Sequence, residues 1–324
     1  MSLIEAIEAA DAQIKAVEGG PVETPLDLAG VFSERSGAQV FLKGEHLQRT
    51  GSFKMRGAMN KVLSLSEGER AKGIVTASSG NHGMAVTQAA RVTGTEAVIY
   101  LPESVSTLKH ETIRRLGAQT ILVPGAGVEC ERAARRAAAE QGRTFVSPYS
   151  DWDVIAGQGT IGVELLAQCP DLAAVYVCVG GGGLISGIGS YLKTKLPGCD
   201  VIGCWPQNAP AMYDCIRKGE IHETPEWDTL SDGSAGGVEE GAITFPICRG
   251  VIDRHVLISE AEIAQAIRDT AATERFIIEG AAGVAVASAL RTGSDYRGRN
   301  IAVIVCGRNI SLEVFTRVLA GADM

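Results

Sequence analysis

A lysine that must attack a carbonyl needs an amine partly stripped of water, because desolvation lowers its pKa and frees the nitrogen. The stretch Thr50-Gly51-Ser52-Phe53-Lys54-Met55-Arg56-Gly57-Ala58 holds one lysine between an aromatic ring and small residues. Lys54 is therefore the candidate Schiff-base former. Taken alone, the stretch also fits a lysine whose stem covers a helix face.

A second run has a different use. Gly180-Gly181-Gly182-Gly183 follows the apolar run Ala174-Val175-Tyr176-Val177-Cys178-Val179 and precedes a helical pattern from Leu184. Without Cβ atoms, backbone N–H groups can close on a phosphate, and a helix N-terminus adds partial positive charge. The four glycines read as a phosphate cup. They are not a dinucleotide fingerprint, since Gly181-x-Gly183 is followed by Ser186 where a third glycine belongs. Gly125-x-Gly127 fails in the same way, with Cys130 in the third place, and no Gly-Lys-Ser/Thr phosphate loop occurs. An imine-forming lysine with a phosphate cup that fits no nucleotide motif points to pyridoxal 5′-phosphate.

Two further clusters support that ligand. Ser78-Ser79-Gly80-Asn81-His82-Gly83 lies between a strand and a helix and offers hydroxyls, an amide and free N–H groups, the means to hold a carboxylate. Simple N-capping would account for one of these residues but not for all. His82 reads as a structural hydrogen-bonder rather than a base. Cys306 ends a buried strand, where a thiol could meet a ring nitrogen or lie inert in the core.

The elements that must position these groups alternate from residue 73 onward, strands at 74–77, 97–101, 120–123 and 144–146 with helices between them. This rhythm predicts parallel sheets with crossover helices. Before it come a helix over 2–18, an extended segment at 22–26, a strand at 39–43 and helical character from Lys54 to Ser66. After Pro148 a second rhythm predicts helix 155–168, strand 174–179, a helix from Leu184, strand 200–204, a helix near 210–218, helices 259–274 and 280–290, and strand 301–306. The tract 219–247 is the least periodic and reads as binding loops.

At 324 residues the chain suggests two lobes of unequal length. A net charge of −8 argues against nucleic acid, which requires clustered Lys and Arg. Acids near the N-terminus and the lack of a long apolar run argue against a signal peptide and a membrane span, so a cytoplasmic location is expected. The eight cysteines are scattered and form no Cys-x-x-Cys pair; buried free thiols are expected.

The chain resembles the fold-type II pyridoxal-phosphate enzymes, within them the serine/threonine dehydratase and serine racemase family. The resemblance rests on Ser52-Phe53-Lys54-Met55-Arg56-Gly57, Ser78 to Gly83, Val154-Ile155-Ala156-Gly157-Gln158-Gly159-Thr160, Gly180 to Gly183 and Cys306-Gly307-Arg308-Asn309, in that order along nearly the full length. It implies two doubly wound α/β lobes, residues 1–49 plus 149–324 and residues 50–148, with the cofactor in the cleft between them. It implies that Lys54 holds the cofactor and acts as base, with Phe53 packed on the ring. Asn81 would bond the ring 3-oxygen, Gly180, Gly181, Gly182 and Gly183 the phosphate, and Cys306 would face the ring nitrogen. Ser78, Ser79, Asn81 and His82 would bind substrate, and Ser79 matches the serine that protonates the opposite face in racemising members. Asp232-Gly233 and Glu279-Gly280-Ala281-Ala282-Gly283 resemble further active-site segments without an assigned role.

The implied activity is elimination of water from a β-hydroxy-α-amino acid such as threonine or serine, in amino-acid catabolism, by a homodimer. The chain runs only a short way past Cys306, so no appended regulatory domain is expected. Cation-binding relatives carry a glutamate where this chain reads Cys204-Trp205-Pro206-Gln207-Asn208-Ala209-Pro210-Ala211, so no metal site is expected. Trp205 and the tract 231–241 resemble more closely a branch of hydroxyectoine-utilisation dehydratases, which implies a substrate that is also a β-hydroxy-α-amino acid. A serine racemase, a β-replacement enzyme and a non-catalytic amino-acid sensor are the alternatives.

Overall fold

The computed structural model describes residues 1–321. Its strands are β1 (Leu26–Leu28), β2 (Gln39–Lys43), β3 (Ile74–Ala77), β4 (Ala97–Pro102), β5 (Gln119–Val123), β6 (Thr144–Phe145), β7 (Leu172–Cys178), β8 (Asp200–Pro206), β9 (Arg254–Ile258) and β10 (Asn300–Ile304). They form two sheets, one ordered β1-β2-β10-β7-β8-β9 and one ordered β5-β4-β3-β6. Every pairing is parallel except β1 with β2. The fold is thus α/β with two lobes. β7 explains why: all seven of its residues are buried, as expected of a central parallel strand covered by helices on both faces.

Strand order determines where the site lies. In the smaller sheet the chain moves from β3 through β4 to β5 and then returns to the other side of β3 as β6. In the larger sheet it moves from β7 through β8 to β9 and returns to the other side of β7 as β10. Each reversal leaves a crevice beyond the carboxyl ends of the strands, where ligands bind in open α/β sheets. Ser78–Gly83 and Pro148–Tyr149 leave the first switch point; Gly180–Gly183 and Cys306–Asn309 leave the second.

The larger core gathers around β7, β8 and β10 with Leu184, Ile188, Val284 and Val286. A second core joins the helix Lys54–Ser64 to the helix Asn81–Thr93 through Met55, Met59, Ala85 and Val86. The first helix runs Leu3–Lys15, shorter than the 2–18 expected; the Ser2/Glu5 capping box sets its start and Ala16 caps its end. The tract 219–247 is loop-rich until the helix Thr244–Val251, which carries Pro246 in its first turn, where its missing N–H has no intrahelical partner to lose. Helices Gly30–Ser36, Glu67–Lys72 and Leu312–Leu319 and strands β1 and β9 were not expected. All eight cysteines are buried free thiols. Among the described residues no helix is long and apolar enough to cross a membrane.

Candidate active site

Lys54 opens the helix Lys54–Ser64, and the loop before it is laced to the turn after β10. Ser52 pairs with Gly307 in an isolated antiparallel bridge. Phe53 N donates to Cys306 O (3.0 Å) and Arg308 N to Gly51 O (2.9 Å). These contacts bring Lys54 beside Cys306, although 252 positions separate them in the chain (306 − 54).

Both residues line a cavity of about 520 Å³ with Phe53, Ser78, Ser79, Asn81, His82 and all four glycines of Gly180–Gly183. Every site residue expected from the sequence reaches this one cleft. Glu279, Asp232, Tyr149 and Lys109 line it too. The first two belong to segments whose role the sequence left open; Tyr149 and Lys109 carried no sequence signal.

Lys54 Nζ donates to Pro148 O at 2.6 Å and lies 5.2 Å from the centroid of the Phe53 ring. Burial lowers its pKa to about 8, against the opposing pull of Cys306 and Glu279. That is the environment a reactive amine needs. Cys306 is the converse case: burial, then Glu279, keeps its thiol neutral by raising its pKa well above the usual value. His82 Nε2 lies 2.9 Å from Val146 O, which can only accept, so the ring proton is on Nε2. Burial, then Lys54, lowers its pKa to about 3. The ring is neutral and anchors the loop to the end of β6.

The glycine cup is closed to side chains by its surroundings. A Cβ on Gly181 would lie 2.4 Å from the Tyr149 ring, and Gly182, with φ of +86°, caps the helix Gly183–Lys195. Thr244 Oγ1 donates to Gly181 O (2.7 Å). With that carbonyl held outward, the N–H edge of the cup is left for an anion. In the neighbouring loop a Cβ on Gly83 would lie 2.0 Å from Ser78 O, so the turn into the helix Asn81–Thr93 closes only around glycine.

Pyridoxal 5′-phosphate fits this set. A cup without side chains suits its phosphate, an amine of depressed pKa its aldehyde, and a neutral buried thiol its ring nitrogen; the cavity has the size of a small-molecule site.

Residues 17–307 match the family described as pyridoxal-phosphate dependent enzyme. An L-threonine ammonia-lyase of Thermotoga maritima is 40% identical over 296 residues, covering 91% of this chain and 73% of that protein. The processed form of threonine deaminase isoform 2 from Solanum lycopersicum superposes with a TM-score of 0.91 at 33% identity, covering 99% of this chain and 94% of that one. A serine racemase from Dictyostelium discoideum superposes with a TM-score of 0.88 at 32% identity, covering 95% and 99%.

Proposed function

Since the chain belongs to the pyridoxal-phosphate dependent enzymes, we propose that it removes water from a β-hydroxy-α-amino acid, of the threonine and serine class, giving a 2-oxo acid and ammonia. The observation that carries this reading is one cleft that holds an amine of lowered pKa, a side-chain-free anion cup and a neutral thiol.

The bound cofactor supplies an electron sink for the charge left on Cα when its proton departs. Gly180 to Gly183 hold its phosphate through backbone N–H groups. Asn81 would donate to an oxygen of its ring, and Phe53 would pack against that ring. Cys306 would meet that ring with a neutral thiol and not a carboxylate, which would leave the ring nitrogen without a partner that holds it protonated and so favour loss of the β-substituent over transamination. Lys54 would anchor the cofactor through Nζ and, once the substrate amine has replaced it there, the freed Nζ would take the Cα proton, its pKa of about 8 suited to exchange near neutral pH. The N-terminus of the helix Asn81–Thr93, with Ser78, Ser79 and the backbone N–H of Asn81, binds the substrate carboxylate, while His82 keeps that loop in place. A screen of β-hydroxy amino acids with 2-oxo acid detection tests the reading; no product from any of them, with cofactor bound, would refute it.

Racemisation is the second reading, favoured by Ser79 in the same cleft as Lys54 and by the likeness to a serine racemase. Ser79→Ala should abolish inversion and any action on D-amino acids, by the ~10²–10⁴-fold a general acid contributes, while L-directed elimination persists. Equal loss of both would give the serine one shared role.

No metal is assigned to the reaction. Residues 204–211 contain no carboxylate, and Trp205 is fully buried with its ring 5.5 Å from that of His255. Among the described residues no group of three or more His, Cys, Asp or Glu is gathered as metal ligands would be. Exhaustive chelation should leave turnover nearly unchanged; a large loss restored by magnesium would contradict this.

A further inference from the structure

Glu279 is buried in the wall of the cleft, at the start of the helix Gly280–Thr292. Asn81 Nδ2 donates to its Oε1 (2.9 Å) and Oε2 (3.1 Å), and Asn309 N donates to Oε2 (3.0 Å). Asn309 Nδ2 donates in turn to Thr50 O (2.9 Å) and to Asn81 Oδ1 (2.5 Å). Only one orientation of each amide satisfies this chain. Thr50 O can only accept, which points the NH₂ of Asn309 toward it and toward Asn81; Asn81 must answer with its carbonyl, and its own NH₂ then faces Glu279.

The two oxygens of one carboxylate subtend too small an angle at nitrogen to occupy both N–H bonds of Asn81. The second N–H is left for the cleft. We propose that Glu279 is a positioning residue that acts through Asn81, reaching from the larger lobe to turn the free N–H of that amide onto the bound cofactor. The inference rests on the proposed contact between Asn81 and the cofactor.

The network is built for an ionised carboxylate. All of its partners here, Asn81 Nδ2 and Asn309 N, are donors, so a proton on Glu279 would displace one of them. Yet burial, aided by Asp232, raises the Glu279 pKa to about 7 against the opposing hydrogen bonds of Asn81 and Asn309 and the charge of Lys54. Cys306 and Cys178, the other titratable groups facing it, are held neutral by burial. The hold on Asn81 is therefore half present near pH 7, nearly complete a unit above it, and weaker below.

The test is the affinity of the cofactor-stripped full chain for pyridoxal 5′-phosphate, read by fluorescence between pH 6 and 8.5. At pH 8, Asn81→Ala and Glu279→Gln should each weaken binding by about 10- to 100-fold, and the double variant no further than the worse single one. The ratio of wild-type to Glu279→Gln affinity should shrink toward one at pH 6. Glu279→Asp, which keeps the charge, should restore part of the loss. Should Glu279→Gln fail to fold, the pH step of the wild type must still be missing from Asn81→Ala. If Asn81→Ala binds like the wild type, the assignment of Asn81 to the cofactor fails. If it binds weakly while Glu279→Gln binds like the wild type at pH 8, adds independently or shows a ratio constant with pH, the positioning role of Glu279 alone is overturned.

Discussion

Lys54→Ala should lower 2-oxo acid release by at least ~10⁴-fold while leaving the chain folded. One group that only moved a proton would contribute ~10²–10⁴-fold, and Lys54 is assigned both that step and the covalent hold on the cofactor. Its structural cost is small, because Nζ makes one hydrogen bond, to Pro148 O. Below about pH 8 the burial of its charge disfavours the folded, cofactor-stripped chain, and that penalty fades as pH rises toward 10.5. The penalty is up to about 3 kcal/mol, so the stripped variant should melt no lower than the stripped wild type at pH 7. Borohydride reduction of the wild-type holoenzyme and peptide mapping should find the pyridoxyl group on Lys54. Lys43 is saturated by Glu164, Gln168 and Thr24 O, and Lys61 by Asp151 and Asp153. An adduct on either would overturn the assignment.

The expected cleft residues could be read from the chain because each belongs to a short local cluster that carries its own signal, at the end of a strand or, for Phe53 and Lys54, at the start of a helix. Four glycines after an apolar run, or two serines, a glycine and an asparagine before a helical pattern, need no distant partner to be noticed. Glu279 lacks that advantage. Its meaning depends on Asn81, 198 positions away, and on Asn309, 30 positions away, and an isolated glutamate before a glycine says nothing about either. The missed elements failed for local reasons. β1 has three residues, too few for a period, and Pro246 concealed a helix that tolerates it in its first turn.

The same distance hid a group that holds Lys54 from below. Arg56, two residues further along the helix Lys54–Ser64, is fully buried between Glu45 and Glu164. Its Nε and Nη2 reach Glu45 at 2.8 and 2.7 Å, and Nη1 and Nη2 reach Glu164 at 2.7 and 2.8 Å. Lys43 Nζ completes the set, 2.6 Å from Glu164 Oε2. Two cations and two anions cancel, and Thr24 Oγ1 and Thr160 Oγ1 add further hydrogen bonds. Such a set contributes little over an apolar core of equal shape, but removal of one member leaves its partners buried and unpaired, at a cost of about 3–5 kcal/mol. Arg56→Met should therefore lower the melting temperature by roughly 4–7 °C. The pH dependence has a definite sign. Burial alone would raise the Glu164 pKa, but Arg56 and then Lys43 outweigh it and the pKa is lowered, so its contribution is intact above about pH 4.5 and is lost on acidification. The gap between wild type and Arg56→Met should hold from pH 6 to 8 and narrow below pH 4.5. Because Arg56 ties the first turn of this helix to the turn Glu45–Leu47 after β2 and to the helix Trp152–Gln168, the folded fraction of the variant should also lose kcat more than KM. A variant that melts like the wild type, or one whose residual activity shows an unchanged kcat, would show that Lys54 is positioned without this buried group.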